Sequence, residues 1–286
     1  MSYKILEKTR LNSVVWKINV HAPMAARAAR AGQFVVLRID EKGERIPLTI
    51  SDTDPARGIL TIIFQEAGKT TKKLGTLKAG DSLADIFGPL GKATHFGKIG
   101  KVALVAGGVG IAEILPVAQY AKTCGNFVAT IIGARTKELL ILEDELKKCS
   151  DKLIVTTDDG SYGTKALVTG PLKELLSADK FDLCYCVGPD IMMKFVAETT
   201  RPFGLKTFVS LDANMVDATG MCGTCRVTVG GKTMFTCVDG PEFDAHLVDW
   251  DEFLKRQKRF VDEEKASLAA FEEHHHKECK YASSNQ

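Results

Sequence analysis

The sequence predicts an all-β part and an α/β part in one chain. An antiparallel β-barrel (residues 1–98) is followed by a doubly wound parallel sheet (residues 99–212), then by a small cysteine-rich unit with a C-terminal helix (residues 213–286). Three observations carry this. Short β-branched runs punctuated by Gly and Pro fill the first hundred residues. From Lys101 to Leu211 strand and helix patterns alternate, which is the mark of βαβ units. Three of the eight cysteines then fall within one stretch, Cys222 to Cys237.

In the first part, Val14–Val20, Gln33–Ile39, Leu48–Ser51 and Leu60–Gln65 read as strands, broken at Gly32, Gly43, Pro55 and Gly58. Lys78-Ala-Gly-Asp81 is a turn before a further strand, Ser82–Phe87. In the second part, strands are expected at Val102–Ala106, Phe127–Ala134, Leu153–Thr157, Leu183–Val187 and Lys206–Leu211. Helices are expected at Ile111–Lys122, Leu139–Lys148, Gly170–Leu176 and Ile191–Thr199. Such a sheet is covered on both faces and binds ligands where strand carboxyl ends meet helix N-termini. After Asp212 the alternation stops. Leu247, Trp250, Leu254 and Val261 fall near one helical face of the charged stretch Phe243–Glu273.

Composition narrows the function. Lys plus Arg number 38 against 36 Asp plus Glu, a net charge of +2, which argues against a nucleic-acid-binding surface. Hydrophobic residues at 45% argue against a disordered chain. The charged start MSYKILEKTRLN lacks the apolar core of a secretory leader. The longest apolar run, Val102–Ala118, is interrupted by three glycines, Glu113 and Pro116, so no membrane span is expected. A cytoplasmic protein is the expectation. Disulfides are rare there, so Cys124, Cys149, Cys184, Cys186 and Cys279 read as scattered thiols and the clustered ones call for a metal.

That cluster is Asp217-x4-Cys222-x2-Cys225-x11-Cys237. It has the spacing of a plant-type [2Fe–2S] loop with aspartate in the first place. Thiolates are soft donors that suit iron, and Gly220 and Gly223 let the backbone curl around the centre. Asp217 either completes the ligand set or caps a turn. Structural zinc is the competing reading, but the histidine it would use, His246, lies past Cys237.

Ala106-Gly107-Gly108-Val109-Gly110 follows a strand and opens a helix, so amide groups and the helix dipole can receive a pyrophosphate there. Gly68-Lys69-Thr70-Thr71 could hold a second diphosphate at the start of a short helix. With such a loop on the same barrel, Arg45-Ile-Pro47-Leu48-Thr49-Ile50-Ser51 reads as a flavin strand. Thr49 would hydrogen-bond the reactive edge of the ring, and Leu48 would pack near it. Arg135, after the second strand of the sheet, could meet a 2′-phosphate. His274, His275 and His276 sit among charges and read as a solvated tail.

Barrel, dinucleotide unit and iron–sulfur loop in this order resemble the ferredoxin–NADP reductase superfamily. The branch resembled is that of the dihydroorotate dehydrogenase electron-transfer subunits. Arg-x-Pro-Leu-Thr, Gly-Lys-Thr-Thr, Phe-Gly-Pro-Leu-Gly, Gly-Gly-Val-Gly-Ile-Ala, Gly-Ala-Arg-Thr, Asp-Asp-Gly-Ser-Tyr-Gly and the cysteine loop carry the likeness. Aspartate in place of the first cysteine is similar to the small subunits of NADH-dependent reduced ferredoxin:NADP oxidoreductases, which are electron-bifurcating transhydrogenases also known as sulfide dehydrogenases. The resemblance implies FAD, a [2Fe–2S] cluster and NAD(H), with NADP(H) as the other nucleotide choice. It adds Asp158, Gly188 and Pro189 to the nucleotide site. It implies a heterodimer with a large flavin and iron–sulfur subunit, reaching ferredoxin through the complex. Electron-transfer subunits of dihydroorotate dehydrogenase or a hydrogenase are the alternatives, and a zinc-stabilised nucleotide sensor is the non-enzymatic one. The chain departs from the family at Glu113, where the motif carries proline, and at Val187-Gly188-Pro189, where many reductases have Cys-Gly-Pro.

Overall fold

A computed structural model describes residues 3–283, with side chains described through Glu273. The barrel part comprises β1 (Tyr3–Arg10), β2 (Val15–His21), α1 (Pro23–Ala28), β3 (Phe34–Arg38), β4 (Arg45–Asp54), β5 (Ile59–Gln65), α2 (Lys69–Thr76), β6 (Ser82–Leu83) and β7 (Asp85–Leu90). Its seven strands run in the order β6-β1-β2-β5-β4-β3-β7, every pair antiparallel. The two outermost strands, β6 and β7, are joined by the single residue Ala84. Its amide donates to the carbonyls of Arg38 and Ile39 at 3.0 and 3.2 Å. The sheet therefore curls until its two outer strands come close, giving a nearly closed barrel. Ile18, Val35, Leu37, Leu60 and Ile62 fill the interior with no exposed surface.

The second sheet is built from β8 (Lys101–Gly107), α3 (Gly110–Thr123), β9 (Phe127–Ala134), α4 (Glu143–Lys148), β10 (Lys152–Thr157), β11 (Thr164–Lys165), α5 (Thr169–Ala178), β12 (Leu183–Val187), α6 (Asp190–Thr200) and β13 (Thr207–Ser210). The rest of the chain gives β14 (Arg226–Val229), β15 (Lys232–Phe235), β16 (Glu242–Asp244), α7 (Trp250–Gln257) and α8 (Val261–Ser283). Strand order is β11-β10-β9-β8-β12-β13-β16. All neighbours are parallel except β16, which runs antiparallel to β13. The order reverses between β8 and β12, so a crevice opens at their carboxyl ends.

The structure alters the expected elements in four places. A helix over Leu139–Lys148 is not formed. Leu142 takes φ 56°, which no right-handed helix carries, and α4 begins only after it. β1 was not expected because Ile5 is its single buried residue, so the period-2 signal is lost. The cysteine-rich segment is not self-contained. Its β16 completes the parallel sheet, and one continuous core joins Ala103 and Cys184 to Cys225, Val227 and Cys237. Finally, Leu247 stays 53% exposed, while Trp250 and Phe253 anchor the helix. Asp249 caps that helix, its Oδ1 accepting from the Glu252 amide at 2.9 Å. His274, His275 and His276 lie outside the residues whose side chains are described. Among the described residues no helix is long and apolar enough to cross a membrane.

Candidate functional site

Three recesses adjoin one another where the barrel meets the parallel sheet. The first, about 620 Å³, lies over the carboxyl ends of β8, β9 and β10. It gathers Gly107, Gly108, Val109, Arg135, Asp158 and Pro189. Gly108 has φ 58°, and the place its Cβ would occupy faces open space, so a ligand can approach the backbone there. Gly110 and Gly188 lie outside the lining and act by close packing. A Cβ on Gly110 would sit 2.7 Å from the Val187 carbonyl oxygen, and one on Gly188 would sit 3.0 Å from the Gly107 amide nitrogen. These two glycines hold the β8–α3 and β12–α6 turns against each other.

The second recess, about 490 Å³, lies between β4 and the segment after β13. Arg45, Pro47, Leu48 and Thr49 form its barrel wall, and Val109 and Gln65 are shared with the first recess. Ile50 and Ser51 of the same expected motif do not reach it. Ile50 points into the barrel core, and Ser51 is 1% exposed with its Oγ unpartnered. A strand turns successive side chains to opposite faces, and a register shift at this point of β4 displaces the rest.

The third recess, about 970 Å³, continues past Arg45 to Gly68, Lys69, Thr70 and Thr71, and is overhung by Phe260 and by Glu263 and Glu264 of α8. Thr71 Oγ1 accepts from the amides of Ala67 and Gly68, each at 3.0 Å, which shapes the loop before α2. Lys69 Nζ donates to Glu44 Oε1 at 3.0 Å, and Thr70 donates to the same carboxylate. A slot walled by Pro47, Leu48 and the Thr49 hydroxyl, leading to a basic, hydroxyl-lined helix start, fits a flavin dinucleotide.

Carboxyl groups line the middle recess as well. Glu113, in the first turn of α3, is half-buried and lines the recess together with Thr49 of β4. Burial, then the neighbouring Asp212, pushes its carboxyl up to about 7. The surrounding recess wall, then Asp190, pushes the Asp212 carboxyl upward, although the residue is exposed to solvent. The Gln257 amide bridges them, donating to Asp190 Oδ2 at 3.1 Å and to the Asp212 carbonyl at 2.6 Å.

The cysteine loop projects beyond this recess. Cys225 and Cys237 are buried with their Sγ atoms 3.2 Å apart, both as free thiols, while Cys222 is exposed. Asp217 caps the turn, with Oδ1 accepting from the Thr219 amide at 3.0 Å and Oδ2 from the Cys222 amide at 2.9 Å. These bonds hold its carboxyl below the ordinary range. Hydrogen bonds from Thr224 lower the Cys222 thiol, whereas burial raises that of Cys237. Among the described residues no three His, Cys, Asp or Glu side chains close into a cation cage. The donor set still fits an iron–sulfur centre: Asp217, Cys222 and Cys225 on the loop before β14, and Cys237 just after β15. Thr236 Oγ1, next to Cys237 in sequence, is buried without a partner.

Residues 212–249 match the family described as the iron–sulfur cluster binding domain of dihydroorotate dehydrogenase B. A Thermotoga maritima protein described as a dihydroorotate dehydrogenase B (NAD+) electron transfer subunit homolog is 49% identical, over 94% of this chain and 95% of its own length. The chain belongs to this family of electron-transfer subunits. A Streptococcus pneumoniae member, the electron transfer subunit of dihydroorotate dehydrogenase B (NAD+), is 32% identical over 84% of this chain and 94% of its own. Among solved structures, a chain of the NADH-dependent reduced ferredoxin-NADP oxidoreductase, studied for flavin-based electron bifurcation, is 48% identical. It superposes with a TM-score of 0.90 over 95% of this chain and 98% of that one. Phthalate dioxygenase reductase, at 18% identity and a TM-score of 0.60 over 83% of this chain and 94% of that one, shares the fold.

Sequence reasoning missed Glu44 and Asp212, whose partners lie 25 and 99 positions away, Lys69 and Glu113 respectively. It also missed α8 as a wall of the site. The charged residue standing in place of proline at Glu113 was the available signal.

Proposed function

We propose that the chain is the small subunit of a ferredoxin- and NADP-linked transhydrogenase. It would pass electrons between NAD(H), FAD and a [2Fe–2S] cluster, to or from a large flavin and iron–sulfur partner in a cytoplasmic heterodimer. The observation that carries this is the shared wall of the first two recesses: Val109 and Gln65 belong to both. A ring in one recess and a nicotinamide in the other would meet there, and the cysteine loop follows directly from the segment that walls the middle recess.

FAD would convert between paired and single electrons, and the cluster would carry them singly. The residues of the chain bind and orient. Leu48 and Pro47 would face the ring, with Thr49 offering a hydroxyl at its reactive edge and Arg45 turned toward the diphosphate. Lys69, Thr70 and the amides after Gly68 would hold that diphosphate. Gly107, Gly108 and Val109 would receive the nucleotide pyrophosphate, Pro189 would flank the nicotinamide, and Asp158 and Arg135 would meet the ribose end. Asp217, Cys222, Cys225 and Cys237 would hold the cluster.

A role as the electron-transfer subunit of a dihydroorotate dehydrogenase is the second reading, favoured by the names of the curated relatives. Anaerobic reconstitution with FAD, iron and sulfide, followed by reduction with NADH or NADPH, tests the cofactor assignment. Bleaching of the flavin by NADH is expected, and a colourless, iron-free chain would overturn it. Native co-purification then separates the two readings by what accompanies the chain, a large flavin and iron–sulfur subunit or a dihydroorotate-oxidising one.

A further inference from the structure

We propose that Glu113 is the proton carrier of the middle recess, exchanging a proton with the bound ring through the Thr49 hydroxyl. This rests on the reading that the recess holds the flavin ring. The geometry is direct: α3 packs against β4, and the first turn of α3 presents Glu113 into the recess, where Thr49 lies on the facing wall.

The chemistry of the site requires such a group. A hydride from a nicotinamide delivers two electrons and one proton. When both electrons leave singly for an iron–sulfur centre, the ring is reoxidised, two single-electron acceptors are reduced, and one proton remains. That proton passes to the Thr49 oxygen as the Thr49 proton passes to the Glu113 carboxylate, leaving Glu113 neutral. Return to solvent restores the carboxylate.

Three elements face Glu113 with titratable or hydrogen-bonding groups: Thr49 from β4, Asp212 from the segment after β13, and Tyr185 from β12. Asp190, at the start of α6, stands beyond Asp212, and Gln257 ties the two. Burial and the Asp212 charge bring the Glu113 carboxyl to about 7, where a carrier both accepts and releases protons at neutral pH.

The test uses FAD-loaded wild-type, Glu113→Gln and Asp212→Asn chains, with NADH as reductant and ferricyanide as one-electron acceptor. Wild-type protein should show a break near pH 7 in the rate profile and a carboxyl band in the redox-difference infrared spectrum. Glu113→Gln should lose both while keeping its flavin, and Asp212→Asn should move the break to lower pH. A Glu113→Gln protein that holds flavin and retains band and break overturns the proposal, as does an unmoved break in Asp212→Asn. A wild-type chain that takes up no flavin overturns the underlying reading, and the inference with it.

Discussion

Tyr185 Oη donates to Glu242 Oε1 over 2.9 Å, tying the interior strand β12 to the antiparallel edge strand β16. Thr94, in the link between barrel and sheet, donates to the same oxygen. One carboxyl group thus joins barrel, parallel sheet and the cysteine-rich segment. Glu242→Ala leaves the buried Tyr185 hydroxyl unpaired and should cost about 2 kcal/mol, whereas Glu242→Gln should cost less. Urea unfolding measures both.

Glu113 also predicts how the flavin-free chain responds to pH. Its folded-state pKa, about 7, lies above the ordinary glutamate value, so the fold favours the neutral form. That stability is fully present below about pH 4.5 and is lost as pH rises toward and through 7. Glu113→Gln, always neutral, should escape the loss and gain about 2 kcal/mol over wild type at pH 8, less than full conversion of the shift because recess water screens the charge. Thermal unfolding of the two proteins between pH 5 and pH 8 should diverge steadily. Parallel curves would be inconsistent with this.

Gly188 takes φ 151°, and a Cβ there would lie 2.7 Å from Met192 Cε. Gly188→Ala should push the β12–α6 turn off the β8–α3 turn and raise the NADH KM about tenfold, equivalent to about 1.4 kcal/mol. Flavin content should not change, since the barrel does not feel that turn. Steady-state kinetics with absorbance at the flavin maximum separate the two effects.

Glu44 engages both Lys69 and Thr70, the groups assigned to the flavin diphosphate. Lys69→Ala should weaken FAD binding about tenfold. Glu44→Gln should strengthen it, because a negative charge no longer competes for the lysine. Fluorescence titration of the flavin-free protein with FAD reads both, and equal affinities in all three proteins would refute the assignment.

Asp217 gives a test by exchange of ligand type. Asp217→Ala should lower the iron retained per chain and alter the visible spectrum, and Asp217→Cys should restore the iron with a spectrum closer to an all-thiolate centre. If Asp217 only caps its turn, iron content and spectrum will be the same in all three.

Much of this arrangement was legible in the sequence, for physical reasons. Buried parallel strands such as Val102–Ala106 read as continuous apolar runs, and the glycines after them mark the turn where backbone and ligand approach. The spacing of Cys222, Cys225 and Cys237 is local and so survives in one dimension. What stayed hidden depends on distance along the chain. Glu242 meets Thr94 across 148 positions, and nothing in either neighbourhood announces it. β16 is three residues long, too short for any period. Ile50 and Ser51 fell on the wrong side because a register shift in β4 cannot be seen in a run of residue types. Leu140 is extended and Leu142 left-handed, backbone conformations that a run of helix-forming residue types does not announce.

The last helix has a kinetic consequence. Glu272 on α8 pairs with Lys72 on α2, and between that clasp and Phe260 the helix spans the mouth of the largest recess. A dinucleotide seated beneath it would have to pass this clasp to leave. Its residence time would then depend on how often one surface ion pair and one helix lift together, and raising the ionic strength should shorten it without touching a single group that grips the molecule.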